Sequence, residues 1–161
     1  MKYLTALVQG FSRVLDRIAG VCLFAIMFLV VLNIITRGIF NHPIAGTYDY
    51  VNLLTAAAIG LALAYCAFQD GHIAVSFVME KLPPKMQAVI DLLINSLGLV
   101  FWALAAWFTA GYARSLTANN MVSATSGVPL SPVVYLITLG LVGLCLVLLL
   151  RIIESWKRMI S

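Results

Sequence analysis

Four long apolar segments, at residues 18–35, 51–68, 88–110 and 133–153, alternate with short polar ones along the chain. Each approaches or exceeds the ~20 residues with which a helix crosses a bilayer. Charged residues sit at the ends of these segments or in the links between them, never in their middles. In lipid every backbone N–H and C=O must be satisfied within the protein, so an open chain crosses as helix. The pattern therefore predicts one all-α integral membrane domain over residues 1–161. Its four transmembrane helices are expected at about 18–37, 50–69, 87–113 and 132–153.

The flanking segments have patterns of their own. In residues 1–17, Leu4, Leu7, Val8, Phe11, Val14 and Leu15 recur at three-to-four spacing, with Lys2, Gln9, Arg13 and Arg17 interleaved. This predicts an interfacial amphipathic helix in the headgroup layer, its basic face toward anionic lipids. The 69–86 link predicts a second one. Val75, Val78, Met79 and Leu82 share a helical face, and Pro83 and Pro84 stop the run. Alternation of Ile73, Val75, Phe77 and Met79 also fits a strand, but its open edge would leave backbone groups unpaired at the membrane. In the 38–50 link, Pro43 and Gly46 break helix. Thr47 is the expected N-cap of the second crossing, with Asp49 in its first turn, where the helix dipole favours an acid. Ala56, Gly60 and Ala64 form a small-residue row that lets another helix approach closely, either within this chain or on a partner. The third helical stretch, 84–114, exceeds a perpendicular crossing and should tilt or extend beyond the membrane. Residues 115–131 are the most polar stretch; Pro129 and Pro132 then restart the chain into a last crossing that carries Gly140 and Gly143.

Charge adds direction. The net charge is +4, which by itself could indicate a polyanion partner. Its placement points elsewhere: of the ten Lys and Arg residues, Arg37 and Arg114 alone fall on one side of a four-crossing arrangement. That bias puts both termini and the middle link in the cytoplasm, so the basic excess reads as topology and no nucleic acid partner is expected. The first apolar run is too long for a signal peptide and lacks a small-residue cleavage site before Arg37, which predicts an uncleaved first helix. Cys22, Cys66 and Cys145 lie inside apolar segments and read as packing residues.

Candidate chemistry is sparse. His42 and His72 fall in links on opposite sides of the bilayer, so they cannot ligate one haem. A proton-coupled exporter needs an ionisable residue deep in the membrane; the deepest here is Asp91, near one face. No metal-ligand spacing, phosphate loop or nucleophile arrangement occurs, so neither cofactor nor enzymatic activity is expected. Arg37 and Asp49 end adjacent crossings on the same side. They read as two hydrated interfacial charges, or as an ion pair that locks the first two helices or meets a partner.

Residues 37–82 resemble the small membrane subunit of tripartite ATP-independent periplasmic (TRAP) transporters, the DctQ-like family. The resemblance rests on Asn33-Ile34-Ile35-Thr36-Arg37, on Thr47-Tyr48-Asp49-Tyr50, on Gly71-His72-Ile73-Ala74-Val75 and on Leu82-Pro83, with Val128-Pro129-Leu130 before the last crossing. Many relatives have Glu at the place of Asp49, often Trp at that of Tyr48, and Asp where Ser76 stands. The resemblance implies a bacterial inner-membrane location and two protein partners, a large multi-spanning membrane subunit and a periplasmic substrate-binding protein. It implies sodium-driven import of organic acids in which this chain scaffolds the large subunit and helps the binding protein dock. Arg37, Asp49, Ala56, Gly60, Ala64, Gly71, His72 and Pro129 are the expected contact or structural residues, and membrane lipids cover the rest. The alternatives are an independent four-helix transporter and an anchoring subunit of another membrane complex.

Overall fold

A computed structural model describes residues 2–69, 84–123 and 125–160. Four helices carry them: α1 (Lys2–Phe40), α2 (Thr47–Phe68), α3 (Pro84–Ala118) and α4 (Ser131–Ile160). All four are long and apolar enough to cross a membrane. The interfacial helix expected in the 69–86 link, with Gly71 and His72, lies outside the described residues apart from its ends.

The amphipathic segment expected at 1–17 is not a separate element. It forms the first turns of α1, a single helix of 39 residues and so ~58 Å long at 1.5 Å per residue. Two sequence features explain the continuity. No proline precedes Pro43, and the apolar spacing of the first segment runs in phase into the crossing. Val8, Leu15 and Ala19 thus lie on one face, packed against the rest of the protein. At its far end α1 stops at Asn41, whose φ of 54° is left-handed, a conformation that Asn tolerates better than most residues. Asn33, nearly two turns back, accepts the Ile44 N–H on its side-chain oxygen at 2.9 Å and ties the link to α1.

The N-cap of α2 differs from expectation. Gly46 occupies it, at φ 78° and ψ 5°, with no side-chain cap. Thr47 is already helical, and its hydroxyl donates backward to the Ile44 carbonyl at 2.7 Å. Gly46 is needed here twice over. Its φ is one that L side chains rarely adopt, and a Cβ would stand 2.7 Å from the Cβ of Ser126. The end of α3 follows the Schellman pattern. Asn120 takes the left-handed position at φ 48°, while its N–H meets the Thr117 carbonyl and that of Met121 meets Leu116.

In space the helices stand in a row, α1–α2–α4–α3. Extensive packing joins α1 to α2, α2 to α4 and α4 to α3, whereas α1 touches α4 only lightly. Each short link makes its two helices antiparallel neighbours, giving two hairpins. The hairpins meet through α2 and α4, which run parallel: Gly60 lies against Ile137 and Gly140, and Ala64 against Gly143. Burial follows this order. Of the most apolar window of α1 and of α3 only 6% is buried, against 33% for α2 and for α4. The core is correspondingly thin. One cluster joins Leu15 and Ala19 to Ala58, Leu61 and Ala64. A second joins Ala67 to Leu144, Val147 and Leu148, with Val8, Leu99 and Trp102 against it. The outer faces carry large exposed apolar side chains, among them Phe24, Phe28 and Val31 on α1 and Phe101, Trp107 and Phe108 on α3.

Candidate functional site at the link end and the helix seam

Both short links lie at one end of the row, the link end. There the α3–α4 connection folds into a small loop closed by an antiparallel bridge between Val122 and Pro129. The Ser123 N–H donates to the Val128 carbonyl at 2.9 Å, and the Gly127 N–H returns to the Ser123 carbonyl at 3.0 Å. Gly127, at φ 67°, supplies the left-handed residue that this reversal uses. Pro129 has no N–H to give, which the bridge tolerates because Leu130 donates to the Met121 carbonyl instead.

Asp49 fastens this loop to α2. One of its carboxylate oxygens, Oδ2, accepts from the Ser123 hydroxyl, from the Thr125 N–H at 3.2 Å and from the Ser126 N–H at 3.1 Å. An ionised carboxylate only accepts, and each of its oxygens takes more than one donor. The first turn of α2 also gives it the positive end of a helix dipole. Asp49 is thus a cap turned outward, holding a loop that lies far away in sequence. The hydroxyl of Ser126 itself is buried without a hydrogen-bond partner, and the Cα and Cβ of that residue stand close to Gly46.

No ion pair forms between Arg37 and Asp49; Arg37 is exposed at the end of α1, and Asp49 is taken by the loop. Gly60 and Ala64 face α4 inside this chain, both buried, and Ala56 is half-buried beside them. The contact at Gly60 is backbone on backbone. A Cβ at Gly140 would overlap the Gly60 carbonyl oxygen and stand 2.6 Å from its carbon, while one at Gly60 would meet the Ile137 Cα at 3.0 Å.

The opposite end of the seam is closed by Arg151, which reaches from α4 to donate to the carbonyl of Ala67 in the last turn of α2. Such carbonyls have no partner within their own helix, and a cation beside them also meets the negative end of the dipole. In the sequence Arg151 is one of the basic residues that set the topology, and the 115–131 link is polar with no serine singled out. Neither partner lies within a helical turn of its mate, so no local spacing reveals either contact. Among the described residues, no group of three or more His, Cys, Asp or Glu side chains could hold a metal ion.

The site is thus a set of ties and close approaches in an apolar frame. The family model of the tripartite ATP-independent periplasmic transporters, DctQ component, matches residues 26–158, which spans every tie described above. No curated protein and no solved structure matches the chain. With most of its length matched, the chain belongs to the DctQ family and is a small membrane subunit of a TRAP transporter.

Proposed function

We propose that this subunit is a fixed frame for the large membrane subunit and part of the surface on which the periplasmic binding protein docks, in sodium-driven import of organic acids. The observation that carries this reading is the row of helices. A closed four-helix bundle would bury one face of every helix, but here α1 and α3 are left almost unburied along their apolar windows. A single layer of this kind suits a protein that lies alongside another and enlarges its footprint in the lipid. The seam between α2 and α4, tight enough to need glycine, gives the layer the stiffness of a frame against which a moving partner can slide.

The charge distribution orients it. With both termini cytoplasmic in the bacterial inner membrane, the link end with Asp49 and its loop faces the periplasm. At the other end Arg13 and Arg17 of α1 are exposed, and long basic side chains of this kind reach the headgroups from a helix that continues the crossing.

Purification of the tagged chain from its native membrane in mild detergent tests the reading. The expected result is co-purification of a large multi-spanning protein in near-equal amount. A chain recovered only with copies of itself would overturn it in favour of an independent oligomeric transporter.

A further inference from the structure

The loop at 121–130 is shaped by one side chain outside it. Asp49 gathers the Ser123 hydroxyl and the N–H groups of Thr125 and Ser126 onto a single oxygen, and Ser126 packs on Gly46 directly beneath. The loop therefore owes its position to a carboxylate on α2. What it presents outward is uncharged: Met121, Val122 and Thr125 are exposed, and residues 119–130 contain no acid or base.

The charges of the link end are arranged around that centre. From residue 33 to 50 and from 111 to 135, Arg37, Asp49 and Arg114 are the only Asp, Glu, Lys or Arg residues. Asp49 is already engaged by the loop. Arg37 and Arg114 are exposed on α1 and α3, the two edges of the row. The charged side chains of the link end are thus one carboxylate held against an uncharged loop and two cations at the margins, an arrangement that complements a soluble protein with carboxylates on either side of an uncharged patch.

We propose that Asp49 is a positioning residue for docking: it holds Ser123, Thr125 and Ser126 in the place that the soluble binding protein meets, while Arg37 and Arg114 steer that protein's acidic margins onto the two edges. This rests on the reading that the link end faces the periplasm. A loop ordered before contact spares the complex the entropy of ordering it on binding.

The test uses the complex of this chain with its large subunit in lipid nanodiscs, with a photoreactive benzophenone side chain at position 121. The purified soluble binding protein is added and the cross-linked product is quantified, together with the large subunit retained. Asp49→Ala should lower the cross-link yield about tenfold and Ser123→Ala about threefold, following loss of charge-assisted and single hydrogen bonds. Retention of the large subunit should not change. Asp49→Ala failing to assemble leaves the test to Ser123→Ala, which keeps the charge. Equal yields in wild type and variants overturn the inference, as does absence of a cross-link in wild type. Loss of the large subunit from both variants overturns it too, because the clamp would then hold the frame and not the docking surface. Failure of the wild-type chain to retain a large subunit is a different result and sinks the scaffold reading itself.

Discussion

Two residues separated by 80 positions, Gly60 and Gly140, let the backbones of α2 and α4 touch. Adding one methyl at Gly140 forces the helices apart, and overpacking of this kind costs about 1–3 kcal/mol where the surroundings can relax; here the obstacle is backbone. Gly140→Ala should therefore lower the thermal unfolding midpoint in detergent sharply, and Gly60→Leu should abolish folding or assembly while leaving membrane insertion intact. Gly111→Ala is the control. It lies in a helix with nothing within 4 Å of the added atom, so its midpoint should stay at or slightly above wild type. Equal loss at 111 and 140 would show that the seam is not the sensitive contact. The small-residue row at Ala56, Gly60 and Ala64 was legible in the sequence as a close-packing face. Its mate was not, because spacing within one helix carries no register against another. Asp49 divides in the same way: its place in a first turn was legible, but its partners at Ser123, Thr125 and Ser126 come from a link whose fold depends on bridge and turn geometry.

Among the elements, α2 depends most on its neighbours. Gly46 opens it with no side-chain cap, and at its other end Arg151 of α4 takes up the carbonyl of Ala67. Hydrogen bonds to charged groups are worth about 1.5–3 kcal/mol, so Arg151→Ala should unfasten this end. Amide hydrogen exchange in the last turn of α2 should accelerate well beyond that in the middle of the helix, with Arg151→Lys falling between. Exchange that is the same in all three proteins would mean that the contact does not hold the helix end. Helix existence was plain from the apolar runs, whereas helix ends were less so. Thr47 was a reasonable N-cap by residue type, yet the left-handed turn at Gly46 displaced the cap by one position. The first turns of α1 have an amphipathic pattern in sequence, but such a pattern alone does not say where a helix stops when no proline or turn intervenes.

At the scale of the whole molecule, four apolar segments were enough to read a four-helix membrane protein. The order α1–α2–α4–α3 was not in them. Short links dictate which helices form hairpins, but the pairing of hairpins was decided by glycines and alanines that match only in three dimensions. Among the contacts that join the two hairpins are Gly60 with Gly140, Ala64 with Gly143 and Ala67 with Arg151. All three cross the same parallel seam, and none depends on the chain running on from the first hairpin into the second. Cutting the protein at residue 76 should therefore leave two fragments that find one another. Expressed together, 1–76 and 77–161 should co-purify, and Gly140→Ala in the second fragment should abolish their recovery as a pair. Fragments that never associate would show that the covalent link is required. By this view the protein behaves as a zipper between two halves that are each complete hairpins, and its unity as a molecule comes from the teeth and not from the thread.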